Sequence, residues 1–502
     1  MDNFEQPARG KDCSVLKEYY RESFPGSAEF KISIYALFLE LAFRLCRPGG
    51  RVGYIVPDSF LTGLHFSKLR GFLLAQQLDE LLLFEEDFWP SGSVGLPVII
   101  DGAARAGSGP TRIAQVRSPS MEPIAERMVN SRDWARNPAS RFRLILRQED
   151  AELCDIVEGA GAALREVLEV HQGLNRTHRA ANLADRPRGK SWKKCLADAD
   201  CVRPFTVTFH NQWLDARPAA IGGTEAELAT FEKPKLLFPR TGDDAYCAVD
   251  EVGYFPTNAL IFGTPLPTSR WDLHALAALL NSTLLRRFHQ ATTMKAGRVF
   301  PQIEVDGIEG IPLPRLSKVT PTQAPAVSLK HLVKEIGSDS TDSRERLAAL
   351  ERLVGQSPTG LNQLHDLLSQ IGRAAQAESE SIVSATAEFV AWLGSESGLS
   401  INIDELTGRR KIFDFAKHPQ IGSEAAFSEI EAILEANDFP ISGRKRALLR
   451  ERYDRAAMQI KTATESLKQL RRICDTVACL MYGLTENLAA YVEGMAPQYG
   501  PS

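Results

Sequence analysis

The chain lacks the marks of a membrane or exported protein. No apolar run approaches the roughly 20 residues of a membrane span. The opening stretch, Met-Asp-Asn-Phe-Glu-Gln-Pro-Ala-Arg-Gly-Lys-Asp, holds no apolar signal core, so a cytoplasmic protein without membrane contact is expected. Cysteine is scarce: there are 8 in 502 residues, with no Cys-x-x-Cys pair and no zinc-ligand spacing. That excludes a disulfide scaffold and leaves reduced, buried thiols and no metal as the expectation. A strong charge of either sign is also missing. With 59 basic and 63 acidic residues the net charge is −4, which rules out a uniformly basic nucleic-acid binder but not a local basic patch. A nucleotide-binding glycine turn is not evident either. Gly159-Ala160-Gly161 sits in a helix-like context with no buried strand before it, and Asn137-Pro138 reads as an ordinary turn.

What is present is enough apolar sequence, 44%, to build real cores, over a length that suggests about three domains. The most informative stretch is 33–60. Leu37, Leu41 and Leu45 form one stripe, with Ile34 and Phe38 beside it, as in an amphipathic helix. Pro48-Gly49-Gly50 stops that helix, and Val52, Tyr54, Ile55 and Val56 then read as a buried strand ending at Pro57. A helix feeding a strand through a glycine turn is half of a βαβ unit, and ligands sit at the carboxyl ends of such strands. Beyond it, "FSKLRGFLLAQQ" reads as a helix, "LDELLLFEE" as a strand and "VGLPVIIDGAA" as a returning edge strand.

The run "IYALFLELAFRLCRPGGRVGYIVPDSFL" resembles the middle of the catalytic domain of gamma-class N6-adenine DNA methyltransferases of the TaqI and type IIG restriction-modification kind. In that family the helix–Pro-Gly-Gly–strand module follows the cofactor glycine motif and the Asn-Pro-Pro-Tyr loop. The resemblance therefore implies that this chain starts after both. It further implies transfer of a methyl group from S-adenosylmethionine to a flipped adenine, with Phe38 near the cofactor. It also implies that this chain alone does not bind S-adenosylmethionine and carries no catalytic residue. An aromatic residue between the last strands, Trp89 or its neighbour Phe88, is implied to stack on the extruded base; as plain packing it would plug the end of the sheet.

Further on, residues 170–194 carry His171, Arg176, His178, Arg179, Arg186, Arg188, Lys190, Lys193 and Lys194 against one acid, Asp185. Such a loop suits phosphate contact. "FEKPKLLFPRTGDDAYCAVDEVGYFPTNALIFG", "LHALAALLNSTLLRRFHQ" and "GRVFPQIEVDGIEGIPLP" follow in the order of a TaqI-like C-terminal specificity domain, which the chain resembles here. "KLLFP" and "AYCAVD" read as half-buried strands around the turn at Thr241-Gly242-Asp243. Arg240, Arg286, Arg287, Lys295 and Arg298 join Arg176, Arg179 and Lys190 as expected contacts to double-stranded DNA. Past 320 the composition turns helical, with one or two long helices ending at Gly483.

The expected class is α/β plus α. It comprises a partial Rossmann-like methyltransferase sheet at 1–105, a connecting segment at 106–165, a mixed α/β target-recognition domain at 166–318 and a helical region at 319–502. Three accounts fit: a piece of an adenine-specific methyltransferase, a non-catalytic specificity subunit working with a separately encoded methyltransferase half or restriction subunit, or a clipped gene.

Overall fold

A computed structural model describes residues 14–30, 32–86, 95–107, 109–174, 182–218, 225–242, 245–293, 303–316, 328–337, 342–354, 360–395, 420–435, 441 and 443–495. The chain divides into two compact units. The first comprises 1–155 with 242–244 and 287–302; the second comprises 156–241, 245–286 and 303–502.

The first unit is built on a five-stranded mixed sheet of β1 (Arg51–Pro57), β2 (Gln77–Phe84), β3 (Pro97–Ala103), β4 (Pro110–Val116) and β5 (Pro123–Asn130), in the order β1-β3-β2-β4-β5. β3 is antiparallel to both β1 and β2, so those two run parallel to each other with β3 reversed between them. The expectation that "VGLPVIIDGAA" forms an edge is therefore corrected. β3 is interior, paired with β1 on one edge and β2 on the other, and most of its residues are buried. β1 is a terminal strand. It alternates, sending Val52 and Val56 into the core while Ile55 stays 39% exposed, so the continuous buried run read from sequence is corrected too.

The helix Ile34–Leu45 forms as expected, and Pro48 and Gly49, the latter at φ 77°, turn the chain into β1. Its buried face differs from the expected stripe. Leu37 of that stripe is buried, against Ala28 and Ile32, but it is Tyr35, Ala36, Leu39 and Phe43 that enter the sheet core, whereas Phe38 is 52% and Leu45 76% exposed. The helix is apolar almost all round, so periodicity alone did not fix which side docks.

The loop at the carboxyl end of β1 is pinned from helix Ser67–Leu74. Arg70, fully buried, donates from Nη1 to the carbonyls of Phe60 at 2.7 Å and Gly63 at 2.8 Å, and from Nε to Ala139 at 3.0 Å. Burial lowers its pKa to about 10, with Arg141 adding to the effect, so it remains a cation at neutral pH. Trp134 stacks on Phe142 at 4.6 Å to close that side of the core.

In the second unit, a four-stranded antiparallel sheet runs in the order Ala248–Asp250, Lys235–Pro239, Leu260–Pro265, Leu168–Gln172. Lys235–Pro239 is buried throughout rather than half-buried; its Leu237 lies in one core cluster with Leu228 and Phe231 of helix Glu225–Phe231. A second sheet combines Phe255–Pro256, Trp192–Leu196, Trp213–Asp215 and Leu183–Ala184.

The helices Leu329–Ile336, Ser343–Val354, Gly360–Ser395, Glu424–Glu435, Gly443–Tyr482 and Glu486–Gly494 complete this unit. Gly360–Ser395 crosses Leu273–Leu280 so tightly at Gly372 that a Cβ there would lie 2.1 Å from the His274 carbonyl. The 40-residue helix Gly443–Tyr482 stops at Gly483, φ 68°, where the sequence placed its end. Tyr482 donates to the Pro312 carbonyl at 2.6 Å, and burial pushes its hydroxyl pKa far up, which makes it a packing anchor. Among the described residues, no helix is long and apolar enough to cross a membrane.

Candidate nucleic-acid interface

The loop that leads into strand Trp192–Leu196 carries Arg186, Arg188 and Lys190, all exposed, and the strand adds exposed Lys194. Aromatic side chains lie among these cations. The Arg188 guanidinium sits 5.5 Å from the centre of the Trp192 ring, and the Lys194 ammonium 5.3 Å from that of Phe209. Phe209 stacks on Tyr254 at 5.7 Å and meets Trp213 edge-on at 5.7 Å. Lys193 instead pairs with Glu232 at 2.6 Å. Short strands fix this strip: Trp213–Asp215 pairs antiparallel with Trp192–Lys194, and Asp215 accepts from Ser191 at 2.9 Å and is forked by Arg217, which holds its pKa down. The result is a cationic surface with flat apolar faces between the charges, suited to a polyanion whose bases or sugars need apolar contact.

The other expected DNA contacts lie in varied surroundings. Lys190 lies in the strip. Arg240, half-buried, follows strand Lys235–Pro239; its backbone N–H donates to Ala259 at 2.9 Å and its carbonyl accepts from Ile303 at 2.7 Å. Its guanidinium meets no carboxylate among the described residues. Arg286 and Arg287 face internal acids. Burial raises the Asp475 pKa, and Arg286 lies close enough to oppose that rise. Arg287 grips the buried Asp150, with Nε donating to Oδ1 at 2.8 Å and Nη2 to Oδ2. Arg176, Arg179, Lys295, Arg298, Trp89 and Phe88 fall outside the described residues. Phe38 is half exposed on its helix. Gly161 follows the end of helix Gln148–Glu158 at φ 87° and opens a short strand against Pro312–Pro314, with Arg315 Nε donating to its carbonyl at 2.7 Å. That geometry is a helix stop, not a cofactor cradle.

Sequence reading weighed the cations of the strip but not its rings. Trp192, Phe209, Trp213 and Tyr254 come from separated segments, and no spacing rule joins them before the sheet forms. The cluster of Asp200, Cys201 and His210 was missed because the nine-residue step from Cys201 to His210 matches no zinc-ligand spacing.

Residues 5–89 match the Eco57I restriction-modification methylase family, and residues 194–313 match the TaqI-like C-terminal specificity domain. No curated protein matches the chain. Among solved structures, the type IIG restriction endonuclease BpuSI aligns at 13% identity and TM-score 0.29, covering 72% of this chain and 52% of its own. The type IIL restriction-modification enzyme MmeI, solved in complex with DNA, aligns at 11% identity and TM-score 0.40, covering 94% of this chain and 56% of its own. This chain thus spans about half the length of either structure. Its residues 5–89 are similar to the Eco57I restriction-modification methylase family and, after them, residues 194–313 to the TaqI-like C-terminal specificity domain.

Proposed function

We propose that this chain is the DNA-recognising portion of an adenine-N6 methyltransferase of a restriction-modification system. The supporting observation is the strip of exposed cations Arg186, Arg188, Lys190 and Lys194 with the half-buried rings of Trp192 and Phe209, which runs into the segment, beginning at residue 194, that matches the specificity domain. Its cations contact phosphates, which sets affinity and position on the duplex; Arg240, at the end of a fixed strand, reads base edges. The order β1-β3-β2, with parallel outer strands, is read as the back of a Rossmann-like sheet. The residues present do not fit S-adenosylmethionine: these 502 residues hold no Asn-Pro-Pro-Tyr run, and Gly159 to Gly161 is a helix stop. No methyl-transfer step is assigned to them. The cofactor and the catalytic loop come from another polypeptide segment, and β1, paired on one side only among the described residues, is the edge available to it.

Fluorescence anisotropy with duplex DNA across a salt series tests this reading. Binding at low salt without cofactor is expected, and Arg188→Ala and Lys190→Ala should each lower the salt slope by about one unit on every sequence. No binding at low salt would overturn the reading.

A further inference from the structure

Asp200, Cys201 and His210 bring a carboxylate, a thiol and an imidazole to one end of a short hairpin, with their ligand atoms all within 4.8 Å of one another. Cys201 closes the 3-10 turn Ala199–Cys201. Strands Val202–Arg203 and Thr206–Val207 carry the chain out and back, and the Thr208 N–H then donates to the Cys201 carbonyl at 2.8 Å. That closure returns His210 beside the thiol. Cys201 Sγ lies 3.8 Å from His210 Nδ1, and Nδ1 lies 3.9 Å from Asp200 Oδ1.

A zinc-class ion, bonded to sulfur at about 2.3 Å and to nitrogen or oxygen at about 2.0–2.1 Å, holds tetrahedral ligands roughly 3.3–3.6 Å apart. Side-chain rotation closes the small difference, since the His210 and Asp200 side chains are 43% and 62% exposed. Cys201, 2% exposed, forms the fixed floor. Burial pushes its thiol pKa up, and the carboxylates of Asp200 and Asp198 push the same way. Those acids repel a bare thiolate but attract a cation.

We propose that Asp200, Cys201 and His210 bind a divalent transition-metal ion of the zinc class, with water completing the shell. On binding, the Cys201 S–H bond breaks, its proton leaves to solvent, and the sulfur electron pair forms the bond to the metal. Thiolate and imidazole select such an ion over magnesium or calcium, which take oxygen ligands. The ion ties His210 to the turn, and with it the adjacent Phe209 that stacks on Tyr254 beneath Lys194.

The test titrates Co²⁺, then Zn²⁺, into the full chain carrying no polyhistidine tag. A near-ultraviolet thiolate-to-cobalt band saturating at one equivalent is expected, with Zn²⁺ displacing the Co²⁺ and raising the thermal midpoint. Cys201→Ser should abolish the band. His210→Ala and Asp200→Asn, both at exposed positions, should each weaken binding tenfold or more. If Cys201→Ser does not fold, the His210 variant decides. No band, a band that survives Cys201→Ser, or unchanged affinity in His210→Ala would overturn the proposal and leave an adventitious surface ion only.

Discussion

The carboxylate of Asp475 receives both polar hydrogens of Thr283: the backbone N–H at Oδ1, 2.7 Å, and the hydroxyl at Oδ2, 2.8 Å. Thr283 is the first residue of helix Thr283–Thr293, so the helix Gly443–Tyr482 supplies its amino-terminal cap from 192 residues away. Nearby, the Cys474 thiol donates to the Ala278 carbonyl at 3.1 Å, which fastens the same turn of the long helix to helix Leu273–Leu280.

Burial raises the Asp475 pKa from 3.8 to about 6, against the opposing pull of the Thr283 hydrogen bonds, Arg286 and Arg471. A folded-state pKa above the unfolded one means that the protonated form favours folding. The contribution is complete below about pH 4 and is lost as pH rises through about 6. Its size is at most on the order of 3 kcal/mol. Asp475→Asn keeps an acceptor for the Thr283 N–H and removes the titration. Urea unfolding at pH 4.5 and pH 7 should show a smaller loss on raising the pH in the variant than in the parent; equal losses would refute the assignment.

Lys235 and Asp250 face each other in register, both side chains fully buried, with Nζ 2.5 Å from Oδ2. Nζ also donates to the Phe231 carbonyl, while Asp250 accepts from the backbone of Val252, Gly253 and Tyr254. Burial lowers the lysine pKa and Asp250 opposes it. Lys235→Met strands a buried carboxylate and should cost about 3–5 kcal/mol, part of which Lys235→Met with Asp250→Asn recovers. A single-variant loss below about 1 kcal/mol in chemical denaturation would contradict this.

Arg70 serves three carbonyls from one guanidinium, a geometry that a single ammonium cannot match. Arg70→Lys should therefore destabilise the first unit by about 3 kcal/mol. Amide hydrogen exchange should speed up most from Asp58 to Phe66. Exchange rates equal to the parent's in that loop would show that Arg70 does not hold it.

Arg240 and Arg287 should separate in behaviour. Arg287→Ala leaves Asp150 without its bidentate partner, so stability should fall by about 3 kcal/mol with little change in DNA affinity per folded molecule. Arg240→Ala should leave the melting temperature within a few degrees and cost roughly 1–3 kcal/mol on the preferred DNA sequence only. Melting curves beside anisotropy titrations check both; the reverse pattern would exchange the two roles.

The sequence by itself determined the local elements, because their causes are local. Pro48 and Gly49 stop a helix wherever they stand, Gly483 ends one through its positive φ, and the motifs from 231 onward resemble a TaqI-like specificity domain, to whose family model residues 194–313 match. Sequence reading made all of 170–194 a loop, which holds for Arg186, Arg188 and Lys190 but not for His171, Lys193 and Lys194, which lie on the strands Leu168–Gln172 and Trp192–Leu196. Tertiary structure decided what depends on partners far away in the chain. Periodicity marked Leu37, Leu41 and Leu45; Leu37 is buried, in a separate cluster with Ala28 and Ile32, but an almost wholly apolar helix docks on whichever side the sheet offers, so Tyr35, Leu39 and Phe43 entered the sheet core while Leu45 and Phe38 stayed outward. Burial of Pro97–Ala103 on both edges depended on β1 and β2 arriving from either side. That Arg287 pairs with Asp150 was likewise beyond local reading, since no pattern in the sequence links a residue at 150 to one at 287. Long-range charge pairing needs both partners brought together by the packed chain, and that juxtaposition is a property of the fold rather than of any segment.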